Sequence, residues 1–199
     1  MTPVQTHLSK DPQLAKVIAM IALPEINSSE DVYYSLLDSI VSQQLSVKVA
    51  DVIFKRFLGL FDGGYPEAKI LLNLDTEAMR AVGLSYQKAG YLKNVAEFFT
   101  KENLETKNWG GFSDDELVEH LSQIKGVGKW TVQMILMFTL KRQNIMPLDD
   151  LGIQQGMMKL YDIEKDKNLK ANMLTIAEAW QPYRSEACRY IWRYKDSEK

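Results

Sequence analysis

A chain of 199 residues with a net charge of −2, 46% hydrophobic and 25% charged residues, has the make-up of an ordinary globular protein of one domain or two small lobes. Its one cysteine, Cys188, and two distant histidines, His7 and His120, exclude an internal disulfide and disfavour an iron–sulfur cluster or a transition-metal site. The weak acidity argues against indiscriminate coating of nucleic acid, and no apolar run approaches the ~20 residues of a membrane span.

The stretch from Met1 to Lys10 lacks the basic-then-apolar plan of a secretory leader, so a cytoplasmic location, or a nuclear one in a nucleated cell, is expected. No run of alternating β-branched residues is bounded by turn signals, and the sequence reads as all helix. Helices are expected over 12–23, 31–43, 46–60, 75–82, 86–101, 114–123, 129–141, 151–161, 169–180 and 183–194. Helix 31–43 gathers Val32, Leu36, Leu37, Ile40 and Val41 on one stripe that must face a core. Gly63, Gly64 and Pro66 break the chain after Phe61, and Gly83 supplies a left-handed stop after Val82. Asp75 and Ser85 are expected N-caps, and Ser113 with Glu116 forms a capping-box pattern. Helix 129–141 is apolar nearly all round, from Trp130 to Leu140, and is expected to lie in the middle of the protein.

Two segments carry chemistry. The first is Ile124-Lys125-Gly126-Val127-Gly128-Lys129-Trp130-Thr131, between two predicted helices. Two glycines around one apolar residue allow a tight turn that Val127 plugs into the core. The amides of the turn and of the next helix's first residues then suit a phosphate oxygen, with charge added by Lys125 and Lys129. The plainer reading is a helix–turn–helix connection whose glycines only make the turn. The second segment is Met146-Pro147-Leu148-Asp149-Asp150-Leu151-Gly152-Ile153, where an acid either caps the next helix or does chemistry. It follows the glycine turn by about twenty residues, across a helix spanning roughly 20 Å at 1.5 Å per residue.

A glycine hairpin, an apolar helix and a Pro-x-Asp-Asp segment in this order resemble the helix-hairpin-helix DNA glycosylases, most closely the 3-methyladenine DNA glycosylase II branch. The likeness runs from about Asp31 to Arg193, and it includes Ile40-Val41-Ser42-Gln43-Gln44-Leu45-Ser46 and Ala179-Trp180-Gln181-Pro182-Tyr183-Arg184-Ser185. The resemblance implies an all-α fold of two helical lobes with a cleft between them. One lobe covers 31–140 and ends in the hairpin; the other joins 1–30 to 141–199 and carries the acid at the cleft.

The same resemblance implies site roles. Asp150 matches the catalytic aspartate, and Asp149 its structural neighbour. Gly126, Val127, Gly128, Lys129 and Thr131 match the DNA-binding hairpin. Gln43 and Gln44 match the segment that enters the minor groove, Gln44 standing where some members carry a leucine wedge. Trp130 and Tyr183 are pocket aromatics, and Met134 replaces an aromatic one turn after Trp130; Trp180 and Trp192 are assigned to the core. Lyase-competent relatives carry a lysine where this chain has Trp130, so monofunctional hydrolysis without metal or cofactor is expected. The implied partner is double-stranded DNA with an alkylated purine, bound by a monomer, and there is no room for an added β-rich domain. The competing readings are a non-catalytic hairpin DNA-binding module, which leaves Asp150 and the segment after Trp180 unexplained, and a helical interaction domain, which fits the weak net charge but not the order of the motifs.

Overall fold

The computed structural model describes residues 1–26, 30–104 and 107–197, and among them it has helices and turns but no strand. The helices are α1 (Pro3–Leu8), α2 (Pro12–Met20), α3 (Val32–Ser42), α4 (Val47–Leu58), α5 (Ala68–Asn73), α6 (Thr76–Ala81), α7 (Tyr86–Glu102), α8 (Asp114–Leu121), α9 (Lys129–Met134), α10 (Leu151–Tyr161), α11 (Leu169–Ala177) and α12 (Arg184–Asp196). The all-helical expectation holds. None of these helices is long and apolar enough to cross a membrane.

The caps explain most of the boundaries. The expected box at α8 is present, Ser113 Oγ accepting from the Glu116 amide while Glu116 accepts from the Ser113 amide. Ser85 accepts from the Lys88 amide at 3.1 Å, whereas Asp75 stands at its N-cap without a side-chain cap bond. Gly83 takes φ +109 just after α6, as its position required.

Three expectations are corrected. Two six-residue helices, α1 and α5, had no predicted counterpart, although α1 carries its own capping box between Thr2 and Gln5. The helix expected over 129–141 is α-helical only to Met134, and Ile135–Thr139 is wound as a π-helix. One extra residue per turn shifts every later side chain around the axis, and such segments concentrate at functional sites. Nor is this stretch wholly interior: Val132, Ile135, Leu136 and Met137 are buried, but Trp130 is 42% and Phe138 37% exposed. Composition alone could not separate the two faces of a helix apolar all round.

The chain forms two compact units, Ser28–Ile135 and the pair Met1–Asn27 with Leu136–Lys199. In the first, the α3 stripe of Val32, Leu36, Leu37, Ile40 and Val41 is fully or nearly fully buried, with Phe57, Leu92, Val95 and Phe99 completing the core. In the second, Leu14 and Val17 of α2 share the interior with Ile153, Met157, Trp180, Tyr190 and Ile191. Asp11 caps α2 and also accepts from the Tyr161 hydroxyl at 2.7 Å and from the Trp180 indole at 3.0 Å. The two rings thus bury their bodies and satisfy their polar tips on one carboxylate.

Candidate functional site

In the unit formed by 28–135, the glycine segment is a hairpin between α8 and α9. The Val127 amide donates to the Ile124 carbonyl at 2.9 Å, and Val127 itself is buried. Gly126 has φ +102, and a Cβ there would stand 2.3 Å from Tyr91 Cγ, so both backbone and packing demand glycine. Gly128 is the N-cap of α9, with Lys129 and Trp130 as the first two helical residues, and all three are exposed. A first helical turn has amides with no partner inside the helix, and here it faces outward. Thr131 is buried, so among the expected hairpin contacts its side chain belongs to the core. Met134 is half-buried.

The Gln43–Gln44 segment lies at the end of α3. Gln44 is exposed and has φ +59, a left-handed conformation uncommon outside glycine. The Gln43 amide group donates to the Gly126 carbonyl at 3.3 Å, which ties this turn directly to the hairpin. The sequence offers these residues 83 positions apart, and only the fold joins them.

In the unit formed by 1–27 and 136–199, Asp150 is 9% exposed and is the N-cap of α10. Its Oδ1 accepts from the Ile153 amide at 2.7 Å and from the Trp192 indole Nε1 at 2.8 Å. The expected helix cap is thus present, and the same carboxylate oxygen is also held by the indole. Asp149, by contrast, is exposed and pairs with Lys170. Trp192, expected from the sequence to lie in the core, is only half-buried and holds this carboxylate. A glycine spacing could have pointed to it: Gly152 and Gly156 lie on one face of α10. A Cβ on Gly152 would come within 2.9 Å of Trp192 Cδ1, and one on Gly156 within 2.5 Å of Ile191 Cγ2. Only glycine lets α12 approach this closely.

The loop leading to Asp150 is also held by α12. The Ser185 hydroxyl donates to the Arg142 carbonyl at 2.6 Å and accepts from the Ile145 amide at 3.0 Å, and the Ser185 amide donates to the Gln143 carbonyl at 2.9 Å. Beside this support lie two cavities. One, of about 380 Å³, includes Tyr183, Met137, Lys141, Arg142 and Glu186 in its wall. The other, of about 470 Å³, has Phe138, Trp192 and Arg193, and the two share Glu25, Ile26 and Arg189. Phe138 and Trp192 pack with ring centroids 5.9 Å apart, and Tyr183 meets His7 edge-on at 5.3 Å. Tyr183 and Trp192 thus line neighbouring cavities, and Trp192 links its own to Asp150 through the indole hydrogen bond.

Comparison with known proteins shows the family of the chain. A family model described as HhH-GPD superfamily base excision DNA repair protein covers residues 37–182. The DNA-3-methyladenine glycosylase 1 of Schizosaccharomyces pombe is 35% identical, aligned over 97% of this chain and 87% of its own length. Among solved structures, the S. pombe 3-methyladenine DNA glycosylase in complex with abasic DNA superposes with a TM-score of 0.81, 35% identity and 96% coverage of both chains. A DNA-3-methyladenine glycosidase from Bacillus halodurans gives a TM-score of 0.85 at 32% identity, covering 98% of this chain and 89% of the other. By sequence, fold and the order of its hairpin and acid, the chain belongs to the HhH-GPD superfamily of base excision DNA repair proteins.

Proposed function

We propose that this chain is a monofunctional DNA glycosylase that hydrolyses the N-glycosidic bond of alkylated purines of the 3-methyladenine and 7-methylguanine type, acting as a monomer. The observation that carries the proposal is Asp150, a nearly buried carboxylate oriented through one oxygen by the Ile153 amide and the Trp192 indole. Duplex DNA hides its glycosidic bonds, so the target nucleotide is extruded while the hairpin holds the backbone and Gln44 enters the gap. The unit that carries Asp150 then receives the extruded nucleotide.

An N-alkylated purine of this type is cationic. Its C1′–N bond breaks with the electron pair passing to the base, which leaves neutral, and positive charge develops on the sugar. Asp150 opposes that charge and takes a proton from the water that adds at C1′. In the unit that carries Asp150, Tyr183 offers an electron-rich ring face to the cationic base. No lysine stands at the position of Trp130, and Lys129, one residue earlier, belongs to the phosphate-facing turn. A Schiff-base intermediate with the sugar therefore has no nucleophile.

The test is a duplex containing one 7-methylguanine. The expected products are free base and an intact abasic strand, cleaved only after added alkali, with no covalent adduct trapped by borohydride. A trapped adduct with a nicked strand would contradict the monofunctional assignment. An absence of released base would contradict the enzyme itself and favour a DNA-binding module.

A further inference from the structure

Three residues of α7 reach the two elements that the proposed function places on DNA. Lys88 Nζ donates to the Val41 carbonyl at 2.7 Å and to the Gln43 carbonyl at 2.8 Å. These are carbonyls at the C-terminal end of α3, where the helix dipole favours a cation and where backbone acceptors lack helical partners. They lead directly into the turn in which Gln44 is held at φ +59. Three residues along, the Tyr91 ring occupies the space a Cβ on Gly126 would fill. Three further along, the Asn94 side-chain amide donates to the Lys125 carbonyl at 3.0 Å. Steps of three place Lys88, Tyr91 and Asn94 on one side of α7, spread over roughly 9 Å of helix axis at 1.5 Å per residue. Burial holds the Lys88 ammonium below the usual lysine pKa range, a cost that its two carbonyl acceptors offset.

We propose that this face of α7 is a spacer that fixes the Gln43–Gln44 turn against the hairpin, with Lys88, Tyr91 and Asn94 as positioning residues for extrusion of the nucleotide. The inference rests on the reading of Gln44 as the residue that enters the duplex. Phosphate gripping and gap filling must occur at a fixed separation along the DNA, and a rigid helix touching both parts sets that separation. The Gln43 side chain, bonded to the Gly126 carbonyl at 3.3 Å, closes the link directly.

The test uses the whole protein and two duplexes, one undamaged and one with a tetrahydrofuran abasic-site analogue. Amide hydrogen exchange is also measured on the DNA-free protein. Lys88→Met keeps the aliphatic stem and removes the donors. It is expected to speed exchange over 42–46 and to lower the preference for the abasic duplex about tenfold, the scale of hydrogen bonds from a charged group, with affinity for undamaged DNA changed less than about twofold. Adding Gln44→Ala to Lys88→Met should cost nothing further, because a displaced turn no longer presents Gln44. Asn94→Ala acts at the other end: it should loosen 124–128 and weaken both duplexes alike.

Unchanged exchange and an unchanged abasic preference in Lys88→Met would overturn the proposal, as would fully additive losses with Gln44→Ala. If Lys88→Met does not fold, Asn94→Ala decides, and unchanged exchange over 124–128 overturns it. Failure of the functional reading looks different: the wild-type chain then releases no base and shows no abasic preference, while the exchange data still judge the spacer.

Discussion

The hairpin with its Gln43–Gln44 turn and the setting of Asp150 are both ways of holding a short irregular segment, and they are built from different materials. The hairpin and its turn start from backbone: Gly126 at φ +102 and Gln44 at φ +59 take left-handed conformations, which Lys88 and Asn94 of α7 fasten by bonds to main-chain carbonyls. Asp150 has an ordinary extended backbone, φ −72 and ψ 120, and beyond its local cap bond to the Ile153 amide its geometry is fixed by side chains remote in sequence. Trp192 is 42 positions away, and Ser185, which fastens the preceding loop, is 40 from Ile145 and 43 from Arg142. On the proposed reading, a grip on phosphate depends on main-chain amides in a fixed turn, whereas a carboxylate that opposes charge at one atom needs side-chain support that fixes its direction. Damage to the first region should therefore change DNA affinity, and damage to the second should change chemistry with affinity kept.

The largest expected effect tests the second half of that contrast. Asp150→Asn should lose at least ~10²-fold in single-turnover excision, the scale of a group that stabilises developing charge, while binding of undamaged duplex stays at the wild-type level. Next comes the support. Gly152→Ala pushes a methyl against the Trp192 ring and Asp150 Oδ1, at 2.9 Å and 3.1 Å respectively. We expect about a tenfold loss in excision, one hydrogen bond's worth of misplacement, again with affinity retained. Gly156→Ala meets Ile191 instead, including its backbone oxygen at 3.0 Å, and should lower the melting temperature more than the rate. Equal rate losses in both variants would mean that α10–α12 packing matters only for stability.

In the first region, Gly126→Ala must displace Tyr91 and adopt a strained φ. It should weaken binding to damaged and undamaged duplexes by the same factor, read from isotherms, because phosphate contacts position without specifying. A loss confined to damaged DNA would blur the division between the regions. The smallest effect concerns the pocket. Tyr183→Phe keeps a ring face and should retain most activity, whereas Tyr183→Leu should lose roughly 0.5–2 kcal/mol of transition-state binding on cationic bases. The loss should be smaller on neutral hypoxanthine, if that base is released. Equal losses on both would reduce Tyr183 to packing against His7.

The same contrast explains what could be read in advance. Gly126, Val127 and Gly128 announce their turn locally, because each residue's own conformational preference is the signal. The α3 stripe and the Ser113–Glu116 box are equally local and were legible. The partnership of Asp150 with Trp192 was not, since a tryptophan near a C-terminus reads as core until the fold brings α12 across α10. The glycines at 152 and 156 held a trace of that approach, visible once a missing Cβ is taken as a sign of contact. The change from α9 to π-helix at Ile135 left no mark in an apolar run. Neither did Lys88, an unremarkable lysine on a surface helix whose acceptors lie 47 and 45 residues earlier.

Asp150, and not its neighbour, is proposed to carry the chemistry. The most direct measurement is single-turnover release of 7-methylguanine from one duplex by the wild-type chain, Asp150→Asn and Asp149→Asn, side by side at saturating enzyme. Asp149 is exposed and paired with Lys170, so Asp149→Asn should stay within a few-fold of wild type, as expected for a surface ion pair. Asp150→Asn should fall by at least ~10²-fold. A dead Asp149→Asn beside an active Asp150→Asn would contradict the account.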